Sequence, residues 1–206
     1  MKFKEELTPE ERNRRLAEHY RAILELLGED PDREGLRKSP ERIARAMEFL
    51  TSGYAKSPAD KLQSALFEEN YGGHERIVLV KGIEFYSMCE HHMLPFFGKV
   101  HIGYIPDTKV VGLSKLARLV EVFARRLQLQ ERMTQEILDA FNENVPNNGV
   151  IVMMEARHLC MQMRGVQKQN TVTATCLYSG KFQQEAKRRE FFEMLNAPHA
   201  ADLCLG

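Results

Sequence analysis

The spacing of apolar residues changes its period twice along the chain. Leu16, Tyr20, Ile23, Leu24 and Leu27 recur at three- and four-residue intervals, which predicts a helix with one apolar stripe. Thr8-Pro9-Glu10-Glu11 sets a capping oxygen and a first-turn proline ahead of that stripe, and Gly28 supplies a stop. Ser39 as cap and Pro40 as opener repeat the signal before Ile43, Met47 and Leu50. Residues 1–65 therefore read as a helical N-terminal region, and residues 66–206 as the unit that follows it.

From Arg76 the period shortens to two. RIVLVKGIEFYS is rich in β-branched and aromatic residues, and in GKVHIGYIP the set Val100, Ile102, Tyr104 alternates with His101, Gly103, Ile105. These predict paired strands joined by MCEHHMLPFFG, a connection long enough to present side chains rather than only reverse the chain. Helical spacing then returns in Leu116, Leu119, Val120, Phe123 and in Met133, Ile137, Ala140, Phe141. Pro146-Asn147-Asn148-Gly149 is a break, GVIVMMEA and NTVTATCLYS predict two more strands, and a charged helix with Phe191, Phe192 and Leu195 closes the domain. The order is helices, then β-β-α-α-β-β, then a helix: an α+β protein.

Composition narrows the partners. The 206 residues are 43% hydrophobic, enough for a buried core, and Lys plus Arg equals Asp plus Glu at 29 each. A chain with no cationic excess lacks the means to neutralise a phosphate backbone, so nucleic acid is not expected as a partner. No apolar run approaches the length of a membrane span, and the start MKFKEELTPEERNRR is charged where a secretion signal would be apolar. A soluble, cytoplasmic protein is the expectation. Cys89, Cys160, Cys176 and Cys204 are too dispersed for a disulfide framework, which leaves their thiols to metals, catalysis or packing.

Cys89 and His92 stand three apart in a turn, a spacing that lets a thiolate and an imidazole meet on one ion. His158 and Cys160, two apart in an extended segment, would face the same way and offer a second such pair. Two ligand sets stay open on spacing. Cys89, His92 and Cys160 would leave a fourth corner for water, with His91 and His158 beside it as acid and base. A closed structural zinc recruiting His158 or His91 as fourth ligand fits the same residues.

Gly112-Leu113-Ser114-Lys115 opens a helix whose free amides and positive end suit phosphate, and Arg118 lies one turn on. Arg164 adds a cation close in sequence to Cys160. Gln130 and Glu131 begin the next helix, where a carboxylate either caps the dipole or accepts two hydrogen bonds from an edge such as that of guanine. Lys115 and Arg118 fit a solvated helix face equally well.

YSMCEHHMLPFFGKVHIGYIP, VGLSKLARLVEVFARRLQLQERMTQEI and EARHLCMQMRGV resemble the successive core motifs of the type I GTP cyclohydrolase family. The resemblance runs from SPERIARAM near residue 39 to REFFEML near 195, while QKQNTVTATCLYSGKF departs from the commoner wording. It implies a tunnelling fold, in which each unit adds its sheet to a ring, usually as a decamer of two pentamers with sites at subunit boundaries. It implies Zn²⁺ on Cys89, His92 and Cys160, His91 as proton donor to the purine, and His158 orienting water and assisting proton transfers. Gln130 and Glu131 correspond to the guanine-recognising pair. Ser114, Lys115, Arg118 and Arg164 correspond to the triphosphate and ribose site, and Arg42 to an arginine from a neighbouring subunit. The implied substrates are GTP and water, and the implied product is 7,8-dihydroneopterin triphosphate, made in the first step of folate and pterin synthesis.

Overall fold

The computed structural model describes residues 7–69 and 75–198; residues 1–6 of the charged start, and Cys204, lie outside them. Helix α1 (Pro9–Leu26) begins as its capping signal requires, with Thr8 Oγ1 accepting from the Glu11 amide at 3.2 Å. It stops ahead of Gly28, whose φ of +84° is a left-handed conformation that costs glycine little. Helix α2 (Ser39–Leu50) starts one residue earlier than its capping signal suggests. Lys38 occupies the cap, and the Ser39 hydroxyl turns back toward the Gly35 carbonyl at 3.5 Å. Pro40 is tolerated there because its missing N–H falls among the first donors, which lack helical partners anyway. The two helices pack through buried Ala17 and Ala44 and through Asn13, which donates to Glu48 at 3.0 Å.

After a 3₁₀ turn at Ser52–Ala55 come α3 (Pro58–Gln63), β1 (Leu66–Glu68), β2 (Val78–Cys89), β3 (Pro95–Pro106) and β4 (Lys109–Val111). Then follow α4 (Leu113–Ala124), β5 (Leu127–Gln128), α5 (Gln130–Asn144), β6 (Asn147–His158), α6 (Leu159–Gln162), β7 (Thr173–Tyr178) and α7 (Glu185–Asn196). Among the described residues the main sheet has the order β5-β2-β3-β6-β7, and β1 pairs with β4 in a separate ribbon. All pairings are antiparallel except β2 with β5. Setting aside the short elements β4, β5 and α6, the succession β2-β3-α4-α5-β6-β7 is the β-β-α-α-β-β unit of the tunnelling fold.

Both faces of β3 are covered, which alternation alone does not reveal. Val100, Ile102 and Tyr104 join Leu116, Leu119, Val120, Met133, Ile137 and Phe141 in the main core between the sheet and helices α4 and α5. Each such side chain contributes about 1.5–3 kcal/mol on leaving water. On the opposite face Ile105 and Ile151 pack with Phe182 and Phe191 beneath α7.

Strand β2 slips register between Val80 and Ile83, with Gly82 at φ +78°, so the bulge redirects Lys81. The Gly82 amide donates to His101 Nδ1 at 3.1 Å, which holds the bulge to β3. Lys81 Nζ then donates to the carbonyls of Met194, Leu195 and Ala197 at 3.3, 3.2 and 2.7 Å, closing the C-terminal end of α7. An ammonium there satisfies orphan carbonyls and opposes the helix dipole. Lys81→Met is expected to loosen α7 by about 1 kcal/mol. Hydrogen exchange checks this: α7 amides should exchange several-fold faster while β3 and β6 stay protected, and an unchanged α7 would remove the clamp from the account.

Candidate active site

The end of the sheet where β2 turns into β3 carries the chemistry. Cys89 is the last residue of β2, and the chain reverses through a short turn in which the Met93 amide donates to the Cys89 carbonyl at 2.8 Å. The Cys89 amide in turn donates to the Leu94 carbonyl at 2.9 Å, and Met93 takes φ +52°, an uncommon value for a side chain of its size. The Glu90 amide donates to the Gln128 carbonyl at 3.0 Å, so the two-residue β5, too short to leave a sequence signal, pins the turn from outside. On the other side β3 pairs with β6 in a register that sets Phe96 opposite His158. Their rings stack at 4.8 Å with an interplanar angle of 1°. Gly98 permits this close pairing, since a Cβ there would lie 1.8 Å from the Glu155 carbonyl oxygen.

Cys160 sits on α6, a single helical turn that follows His158 directly. The extended geometry read from the sequence therefore does not hold for this pair, and Cys160 reaches the β2–β3 turn by a different route. The Cys89 and Cys160 sulfurs and a His92 ring nitrogen all lie within 4.8 Å of one another. Cys89 Sγ is 3.8 Å from His92 Nδ1, and Arg164 Nη1 lies 3.3 Å from His92 Nε2. Burial pushes the Cys160 thiol above its ordinary value, and the adjacent Cys89 adds to that shift. Two neighbouring thiols resist ionising together unless a cation compensates them. Two sulfurs and one imidazole form a soft donor set that suits zinc and not magnesium or calcium. These residues fit a metal ion.

His158 stands beside this group rather than in it. Its Nε2 is 2.8 Å from Gln130 Oε1, and burial lowers its pKa from the ordinary imidazole value, partly opposed by the Glu131 carboxylate. Burial therefore favours the neutral ring. Gln130 is itself buried, 1% exposed, and its amide nitrogen donates inward to Thr173 O, Thr175 Oγ1 and Met154 O. Glu131, the next residue, is exposed at the start of α5. His91 is 62% exposed, its Nε2 4.0 Å from Glu90 Oε1. Glu90 is held by both Nη atoms of Arg132, at 2.5 and 2.9 Å, and that guanidinium draws its carboxyl below the usual range.

The chain as a whole matches a known group. The profile of the family described as GTP cyclohydrolase I matches residues 16–196.

The chain belongs to the GTP cyclohydrolase I family.

Relatives agree with that assignment. A GTP cyclohydrolase 1 of Porphyromonas gingivalis is 54% identical over 190 residues, covering 92% of this chain and 97% of its own. Those of Chlorobium phaeovibrioides and Campylobacter lari are each 56% identical, over 181 and 176 residues, covering 87% and 85% of this chain and 80% and 91% of theirs. As a member of the GTP cyclohydrolase I family, the chain is an enzyme, a hydrolase.

One chain gathers Cys89, His91, His92, Gln130, Glu131, His158, Cys160 and Arg164 at the β2–β3 turn and the facing ends of β6 and α5. Ser114, Lys115 and Arg118 lie elsewhere. The end of α4 meets β2 near Tyr86, where Arg125 Nη1 donates to the Tyr86 carbonyl, whereas its start meets Ser64, which accepts from Lys115 Nζ at 2.9 Å. A 12-residue helix is about 18 Å long, so Ser114 and Lys115 sit at the end of α4 remote from Tyr86, and Arg118 lies near its middle. Arg42 is exposed on α2. Sequence reading missed Phe96, the Glu90–Arg132 pair, and the threonines Thr134 and Thr175 behind Gln130. The four-residue step from Gln130 to Thr134 along one helix face was the available signal for the last of these. Among the described residues no helix is long and apolar enough to cross a membrane.

Proposed function

We propose that this GTP cyclohydrolase I family member opens the imidazole ring of GTP at C8, releases formate and forms 7,8-dihydroneopterin triphosphate. The observation that carries the reading is the convergence of a two-thiol, one-imidazole donor set with His91, His158 and Glu131 at one end of the sheet. Cys89, His92 and Cys160 would hold a zinc ion. When bound, such an ion supplies Lewis acidity that makes water a competent nucleophile near pH 7.

The protein's own groups do the rest. Glu131, exposed beside His158, accepts hydrogen bonds from N1 and the 2-amino group of guanine and sets C8 toward the thiols; a carboxylate suits that two-donor edge. His91, exposed toward solvent, donates a proton to the purine as negative charge builds during attack. His158, whose partial burial favours the neutral ring, orients water and accepts a proton. Arg164, close to His92, holds ribose or phosphate at the near edge.

Triphosphate binding completes the site from a neighbouring copy. Ser114 and Lys115 stand at the start of α4, beside Ser64 rather than beside the thiols, so in this reading a second subunit presents them with Arg118 and Arg42. The outer edge of β7, unpaired among the described residues, offers a strand to such a neighbour. A ring of these sheets, as a decamer of two pentamers, brings the start of one α4 against the thiols of the next subunit. Binding the triphosphate there converts affinity into orientation of the base.

Incubating the protein with GTP, and measuring formate together with the fluorescence of the oxidised pterin, tests the reading. Stoichiometric formate and a fluorescent pterin are expected; intact GTP after prolonged incubation with zinc-loaded protein would reject it.

A further inference from the structure

Gln130 sits where a substrate-reading residue was expected, yet its side chain is fully engaged inside the protein. Its Nε2 lies 3.0 Å from Thr173 O and 3.3 Å from Met154 O, both of which only accept. Turning the amide over would set Oε1 against these two carbonyls, so Oε1 must be the atom that faces His158 Nε2 at 2.8 Å. The threonines lock the same choice from behind. Thr134 Oγ1 donates to the Gln130 carbonyl at 2.8 Å, which uses its only hydrogen. Thr175 Oγ1, 2.7 Å from Thr134 Oγ1, must then donate to it and so accepts from Gln130 Nε2 at 3.2 Å. Which atom donates and which accepts is thus fixed along the chain His158, Gln130, Thr175, Thr134. Thr134 is 0% exposed and Gln130 1%, so solvent offers little competition.

We infer that Gln130 is a positioning residue for His158: its buried carboxamide fixes the imidazole as the Nε2–H tautomer and keeps the Nδ1 lone pair for proton uptake. The Phe96 ring, stacked on the imidazole at 4.8 Å, fixes the plane while Gln130 fixes the rotation within it. As water forms its bond to C8 it loses a proton to Nδ1, the imidazolium keeping its Nε2–H bond to Gln130 Oε1, and when the ring C8–N bond breaks that proton passes to the nitrogen released. This use of the tautomer rests on the GTP reading above, whereas the tautomer itself does not.

Solid-state NMR of the metal-loaded protein carrying ¹⁵N-histidine reads the tautomer, with the His158 signals assigned by their loss in His158→Gln. A proton on Nε2 and a bare Nδ1 are expected; a proton on Nδ1, or both forms populated, overturns the inference without any Gln130 variant having to fold. Gln130→Met should mix the tautomers, lower kcat by about 100-fold, and leave KM for GTP within about threefold. In Gln130→Glu the protonated carboxyl reproduces both the acceptor and the donor, so the Nε2–H form and most of kcat should return. Wild-type kcat or an unmixed tautomer in Gln130→Met would overturn the inference. Absence of GTP turnover in the parent protein would reject the ring-opening reading instead, and the ¹⁵N spectrum separates the two.

Discussion

Cys160→Ala is expected to lose its metal and its turnover together while keeping the fold. Cys160 sits on the single turn α6, partly buried at the edge of the main core, so removing its sulfur costs about 1 kcal/mol in packing. The consequence for metal is far larger. Cys89 and His92 would remain as two donors, and an ion that zinc chemistry holds with three or four would be left mostly to solvent. Losses of outer partners alone cost 10- to 100-fold in metal affinity, so loss of a direct thiolate should exceed about 100-fold. Metal content per chain, measured after equilibration at low free zinc, should fall toward zero, with formate release falling below about one-thousandth of the parent. One equivalent of zinc with normal formate release would refute the ligand set.

His91→Ala should separate what Cys160→Ala joins. Its ring is 62% exposed and lies 4.0 Å from Glu90, so the folded state has little to lose from its removal. The metal should stay, because Cys89, His92 and Cys160 are untouched. What disappears is proton donation to the purine, an effect of about 10²- to 10⁴-fold for a positioned acid. Formate release should fall by that factor while zinc content, circular dichroism and GTP binding remain near the parent's. Normal formate release would rule out the acid role of His91.

Much of the scaffold was legible because burial imposes period on sequence. The stripes Leu116, Leu119, Val120, Phe123 and Met133, Ile137, Ala140, Phe141 are buried on α4 and α5 as their spacing requires, and β2, β3, β6 and β7 lie where period-two segments were read. Short elements escape such reading. β5 has two residues and α6 four, fewer than either period needs to declare itself, yet β5 pins the Cys89 turn and α6 carries Cys160. Ser39 deceived for a local reason, since a helix can start one residue early when the preceding lysine accepts the cap position.

The site divided along the same line. Cys89 and His92 were readable because a tight turn keeps sequence neighbours near in space, and Cys89, His92 and Cys160 do come together. The use of Gln130 was not readable, because nothing at the start of a helix says which strands lie behind it. Thr173 and Thr175 of β7 decide that from more than forty residues away. For Ser114, Lys115 and Arg118 the sequence left a phosphate site and a solvated helix face equally open, and the start of α4 meets Ser64 rather than the thiols.

X-ray absorption at the zinc edge of the loaded protein tests the central claim most directly. Two sulfur neighbours, one imidazole and one light donor from solvent, with the last exchanged when a substrate analogue is added, are the predicted result. Four protein donors, or a shell unmoved by the analogue, would contradict it.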